Sequence, residues 1–273
     1  MKRNKTLKQI ITKTIAILSL CCWFIMAQPG TLLAEEIFPA LTGAELEEAI
    51  AREYRPETSL GYDRARDFMY TQTDNQDGIV TAIYTGYQGN IAPDSETPRR
   101  DASAQKINAE HVYPRGKGAK QGQAKSDLHS LFPSLAAVNS ERDNHPFAEI
   151  SDSLTQKWFR DDQELTTLPI RFNINEYSES ITDKLFEPRE DKKGDVARAM
   201  FYFYTVYRFQ ADDADASFFP RQQTALCQWN AKDPADRKEK ERSHKIAEFQ
   251  GNENPFVIDD TLAERTYCPE QQQ

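Results

Sequence analysis

Asn108-Ala-Glu110-His111-Val-Tyr113-Pro114 is followed by Ser126-Asp127-Leu128-His129-Ser-Leu-Phe-Pro133, and then by Asn139, Arg142 and Asn144-His145-Pro146-Phe147. Three of the four histidines of the chain lie in this block, beside one carboxylate and one amide that suit a hard metal ion. Glu110 supplies an anionic oxygen, and a neutral His111 is the usual general base near pH 7. Adjacent residues of a regular strand face opposite sides, so both can serve one site only where the strand ends or bulges. Pro114 and the glycines after it predict such an irregular end. Taken alone, a Glu-His pair is ordinary surface, and Asn139 alone is a solvated or capping residue. Together, a carboxylate and an amide oxygen suit magnesium or calcium, whereas zinc favours His and Cys. Magnesium takes one or two protein ligands and keeps its remaining positions for water and phosphate. The chemistry this points to is metal-assisted hydrolysis of a phosphodiester.

The same block resembles the endonuclease I family, non-specific nucleases of the ββα-metal type. That family carries N-x-E-H-x-x-P, a short loop, S-D-L-H-x-L-x-P, a helix with Asn, and R-x-N-x-P-F. The likeness continues in Gly194-Asp195-Val-Ala197-Arg198-Ala-Met-Phe201-Tyr202, in Trp229 with Asp233-Pro234, and in Gln250-Gly251-Asn252 with Asn254-Pro255-Phe256. It implies that His111 is the general base and that Glu110 and Asn139 hold one magnesium-type ion, with calcium or manganese as alternatives. It further implies cleavage of DNA, and often RNA, to 5′-phosphate and 3′-hydroxyl ends. Tyr113 stands where the family often has Trp, Ser130 where Asn or His is common, and Lys125 where some members have Glu. None of these replaces a proposed ligand or base.

Asp127 and His129 are supporting candidates, either orienting the site or forming a buried hydrogen-bonded pair. Arg142 is open between a phosphate contact and a helix-surface ion pair, and His145 and His244 are read as solvated or structural. From Pro98 to Lys125 seven basic residues (Arg99, Arg100, Lys106, Arg115, Lys117, Lys120, Lys125) face only Asp101 and Glu110, a local charge of +5. Charge runs are usually solvated loops. Their position around Glu110 and His111 instead suggests a groove for the nucleic-acid backbone, with little sequence selectivity.

That local charge contrasts with the chain as a whole. The N-terminus joins Lys2, Arg3, Lys5, Lys8 and Lys13 to an apolar run from Ile15 to Ala27, the layout of a signal peptide over residues 1–34 with cleavage after Ala34, or Ala27 as a second candidate, against the alternative of an uncleaved anchor. Its removal takes away five basic and no acidic residues and moves the net charge from −9 to −14. An exported protein follows, periplasmic or extracellular, with no membrane span in its mature form. Cys227 and Cys268 are then the remaining cysteines, and export favours a disulfide between them over two buried thiols.

The expected fold class is α+β: one mainly helical domain, residues 35–273, built around the ββα-metal motif and monomeric. A capping box at Thr42 and Glu45 starts one helix, and Tyr62 to Tyr70 forms a second. Asp74 to Gly78 is a turn lacking the ligand spacing of a calcium loop, and Ile79 to Tyr84 is a strand. Residues 89–106 and 115–126 read as loops, and Pro133-Ser134 as a helix start. A helix after Gly194 presents an apolar face through Val196, Ala197, Met200, Phe201 and Val206, and a last helix covers Pro234 to Phe249. Two other functions compete with a nuclease. A non-catalytic nucleic-acid-binding protein would not need Glu110, His111 and Asn139 intact, and a small-molecule phosphoesterase would not need the flanking basic loops.

Overall fold

The computed structural model describes residues 36–268. The predicted signal peptide, residues 1–34, lies outside them. The chain begins with α1 (Gly43–Glu53) and α2 (Tyr62–Phe68), the latter running into a π-helical turn at Met69–Thr73. A three-stranded antiparallel sheet follows, β1 (Asn75–Gln76), β2 (Ile79–Thr81) and β3 (Gln88–Asn90). Next come α3 (Pro98–Ala104), β4 (Ile107–His111), α4 (Gly122–Ser126), β5 (Leu131–Leu135) and α5 (Ala136–Arg142). A second antiparallel sheet has the order β7 (Gln163–Leu165), β6 (Lys157–Arg160), β8 (Ser178–Ile181), β9 (Leu185–Glu187). Six helices close the described chain: α6 (Lys193–Val206), α7 (Arg208–Asp215), α8 (Gln223–Lys232), α9 (Arg237–Gln250), α10 (Pro255–Ile258) and α11 (Leu262–Thr266). The class is α+β, as expected.

The core is organised on α6. Every residue of that helix except Asp195 is buried, so it is enclosed on all sides rather than along one apolar face. Phe201 stacks on Tyr267, and Phe203 stacks on Tyr113 of the segment leaving β4. Gly194 is needed where α6 meets the end of α8, because a Cβ there would lie 2.0 Å from the Asp233 carbonyl oxygen. Cys227 and Cys268 form the expected disulfide, tying α8 to the end of α11.

Several local expectations need correction. Thr42 occupies the N-cap of α1, but its side chain makes no capping bond. The polar stretch 89–106 contains β3 and α3, the latter started by Pro98 at its first position, where a missing N–H costs nothing. Residues 115–126 likewise hold a 3₁₀ turn and α4. Pro133 does not begin a helix. It lies in β5 opposite Ala109, and the helix starts at Ala136, because residues 131–135 pair along the whole of β4. The Asp77-Gly78 turn is a two-residue hairpin loop in which both residues have positive φ, the geometry that Asp-Gly favours. The helix expected to be the last is α9, capped at Asp236 and stopped by left-handed Gly251, and α10 and α11 follow it.

Candidate active site

β4 and β5 pair in antiparallel register, His111 opposite Leu131 and Glu110 opposite Phe132, and the chain turns directly from β5 into α5. His111 is the last residue of β4, so the strand ends where two neighbouring side chains must reach one site. Glu110, His111 and Asn139 of α5 all line a cleft of about 660 Å³, together with Asn108, Tyr62, Arg66, Arg115 and Lys120.

Glu110 is buried, and its position is set from below. Tyr84 donates its hydroxyl to Oε1 at 2.7 Å, and Arg142 Nη1 stands 3.6 Å from the same oxygen. Among the described residues no side-chain donor bonds Oε2, while the His111 backbone N–H also favours the charged carboxylate. Burial raises the carboxyl to about 7 against the opposing Arg142 charge and the Tyr84 bond. Asn139 Nδ2 donates to Asn108 Oδ1 at 2.8 Å and to the Ala109 carbonyl at 3.2 Å. Both bonds use the amide nitrogen and leave Oδ1 as a bare acceptor. Two hard oxygens, one anionic and one neutral, are thus left on one cleft by the hydrogen bonding around them, a donor set that fits magnesium or calcium.

His111 Nε2 lies 2.9 Å from the Lys125 carbonyl oxygen. A carbonyl can only accept, so Nε2 carries the proton and Nδ1 keeps the basic lone pair. Burial lowers the ring to about 4, with the Arg115, Lys125 and Arg142 charges acting the same way. At neutral pH it is therefore an uncharged base. Tyr62 stacks on it with ring centroids 5.4 Å apart.

Arg142 is neither a phosphate contact nor a surface ion pair. It is fully buried, donates to the carbonyls of Val112 at 2.7 Å and Asp143 at 3.1 Å, and lies over the Phe147 ring at 4.4 Å. Asp127 and His129 do not line the cleft. Asp127 accepts from the His129 backbone, Gln250, Tyr202 and Tyr207. His129 Nε2 meets the Asn252 carbonyl at 2.9 Å, and burial lowers its pKa to about 4. His145 is half-buried, and His244 is exposed beside Glu253.

The basic residues between Pro98 and Lys125 separate in space. Arg115 and Lys120 line the cleft, and Lys125 stands over the Tyr62 ring at 4.8 Å. Lys117 is held by Asp215 at 2.9 Å, and Arg99 by Asp63 and Asp67. Arg100 is exposed on α3. Sequence reasoning missed Tyr84, Tyr62 and Arg66. The last two stand four apart at the start of a predicted helix, a spacing that puts them on one face. For Tyr84 the sequence carried no signal.

Elsewhere, Glu149, Glu187 and Glu190 converge closely enough to hold an ion. The ammonium of Lys193 stands between them at 3.0, 2.7 and 2.6 Å, in the place an ion would take. A larger cleft of about 990 Å³ runs beside the disulfide and contains no predicted catalytic residue. No helix among the described residues is long and apolar enough to cross a membrane.

Comparison with known proteins matches this arrangement to a family. The chain is 27% identical to a periplasmic deoxyribonuclease of Aeromonas hydrophila over 61% of its own length and 71% of the relative's. It is 31% identical to an extracellular ribonuclease of Bacillus subtilis over 55% of its own length and half of the relative's. To an extracellular ribonuclease of Bacillus amyloliquefaciens it is 26% identical, over 79% and 71% of the two chains. The family model described as Endonuclease I matches residues 42–261, a span that includes every residue of the cleft. The chain therefore belongs to the endonuclease I family and is an endonuclease.

Proposed function

We propose that this protein is an exported, metal-dependent and sequence-tolerant endonuclease that hydrolyses DNA and RNA to 5′-phosphate and 3′-hydroxyl ends. One observation carries the reading: the unprotonated Nδ1 of His111 shares a cleft with Glu110 and Asn139, each presenting an oxygen without a side-chain donor. In this scheme β4, β5 and α5 are the ββα-metal motif. His111 Nδ1 takes the proton from the water that attacks phosphorus. Its Nε2–H bond to the Lys125 carbonyl holds the ring in register and stabilises the imidazolium as it forms. Glu110 Oε2 and Asn139 Oδ1 would hold a magnesium-type ion, which when bound offsets charge on the phosphorane-like transition state and the leaving 3′ oxygen. Arg115 and Lys120 contact backbone phosphates, which carry no base identity, and low selectivity follows. Relatives named as deoxyribonucleases and ribonucleases support both substrates. Their periplasmic and extracellular names, with the basic and apolar leader, support export.

The test is cleavage of supercoiled plasmid and single-stranded RNA by the purified chain in magnesium buffer, with His111→Ala beside it. The expected result is cleavage of both that stops in excess chelator, and a folded variant slower by a factor of about 10²–10⁴. Near-normal cleavage by the folded variant would remove His111 as the base, and activity persisting in chelator would remove the metal.

A further inference from the structure

Two residues on the cleft wall have no part in the scheme above. Tyr62 and Arg66 stand one turn apart on α2, so they project from the same face. Both line the cavity that holds Glu110, His111 and Asn139. Tyr62 is stacked on the His111 ring, and the Arg66 guanidinium lies over the Tyr62 ring at 4.2 Å. Arg66 Nη2 is anchored on Asp63 at 2.5 Å, and Asp63 is itself shared with Arg99 at 2.9 Å. This leaves the guanidinium fixed in place but short of acceptors, because its Nε is buried with no hydrogen-bond partner. A guanidinium on a cleft wall with donors not all paired is a ready partner for an anionic oxygen. Beside the proposed base, on a cleft that also carries Arg115 and Lys120, the acceptor that suits a guanidinium fork is a phosphate oxygen.

We propose that Arg66 binds a backbone phosphate of the nucleic-acid substrate next to His111, with its guanidinium held ready by Asp63 and the Tyr62 ring. The proposal rests on the nuclease reading of the cleft. It makes α2, outside the Asn108–Phe147 block, one wall of the substrate groove.

The test is fluorescence anisotropy of a labelled DNA duplex in chelator, where cleavage does not interfere, across a salt series. Arg66→Gln, Arg66→Lys and the unaltered chain are compared, with plasmid cleavage and thermal melts in parallel. Arg66→Gln should bind about tenfold more weakly, and its plot of log association constant against log salt should flatten by about 0.9. Arg66→Lys should keep the slope while recovering part of the affinity, because it has the charge without the fork. If the unaltered chain cleaves plasmid while Arg66→Gln keeps its slope and affinity, the Arg66 assignment is overturned and the nuclease reading stands. A lowered melting temperature with an unchanged slope also overturns it, assigning Arg66 a structural role. If the unaltered chain neither cleaves nor binds, both readings fall.

Discussion

The Tyr84 hydroxyl donates a 2.7 Å hydrogen bond to Glu110 Oε1 inside the core, joining residues 26 apart in sequence. Arg142 addresses the same oxygen from 3.6 Å. Both contacts hold Oε1, leaving Oε2 as the oxygen for the proposed metal site. Tyr84→Phe removes one oxygen atom and leaves the orientation of Glu110 to the longer Arg142 contact. The stability loss should be about 1 kcal/mol. The magnesium concentration giving half-maximal plasmid cleavage should rise about tenfold, as for other residues that orient metal ligands. A magnesium titration of both proteins checks this, and coincident curves would mean that Tyr84 only packs.

Glu110 also sets a pH dependence that can be isolated without activity. Its folded pKa of about 7 lies above the ordinary carboxylate value because burial disfavours the charge. The folded state therefore holds more protons than the unfolded chain between about pH 4.5 and 7. Stability from this group is fully present below that window and is lost as pH rises through it. Glu110→Gln carries no charge to desolvate. In chelator, its melting temperature relative to the unaltered chain should shift in favour of the variant from pH 5 to pH 8. His111 and His129 act with the opposite sign, since folded pKa values of about 4 cost stability as pH falls below about 6.5. They are present in both proteins and largely cancel in the difference. A gap that stays flat from pH 5 to pH 8 would rule out the buried-charge account.

Arg142 shows where sequence reading stopped. Glu110, His111, Asn139 and Arg142 stood out in the sequence as chemistry-bearing residues set close together, and the structure brings the first three onto one cleft. Neither role foreseen for Arg142 was found, because burial depends on what packs over a residue, here Phe147 and the carbonyls that end β4. Elements with local signals were read well: the turn ending at Asp77-Gly78, the existence of a helix after Gly194 and the pairing of Cys227 with Cys268. Elements made by pairing with distant chain were read poorly. Residues 131–135 look like the approach to a helix and are a strand only because residues 107–111 lie alongside them. The short α3 was hidden by Pro98, which in fact begins it.

The burial of Arg142 yields its own expectation. Arg142→Lys keeps a positive charge but cannot reach Val112, Asp143 and Glu110 at once from a planar fork. Arg142→Ala leaves Glu110 buried without its cation, a change that typically costs about 3–5 kcal/mol. Denaturant unfolding should rank the unaltered chain above Arg142→Lys, and Arg142→Ala below both. If either variant unfolds at the unaltered midpoint, Arg142 is not a structural anchor.

Asp127 separates stability from catalysis most cleanly. Four donors converge on its carboxylate: the His129 N–H and Gln250 Nε2 on Oδ1, and the hydroxyls of Tyr202 and Tyr207 on Oδ2. They join the 3₁₀ turn (Leu128–Ser130) before β5, α6 and its C-terminal cap Tyr207, and the end of α9, and none of these groups lines the cleft. Asp127→Asn replaces an acceptor-only group by an amide whose own N–H₂ must face donors, so at least one buried hydroxyl has to turn away. Hydrogen bonds to a charged group are worth about 1.5–3 kcal/mol each, and the variant should lose about 3 kcal/mol of unfolding free energy. Plasmid cleavage per folded molecule at 25 °C should stay within about twofold of the unaltered chain, because Glu110, His111 and Asn139 keep their own supports. Unfolding curves and cleavage rates on the same preparation check both halves. A rate loss of orders of magnitude in the fully folded variant would place Asp127 in the catalytic machinery after all.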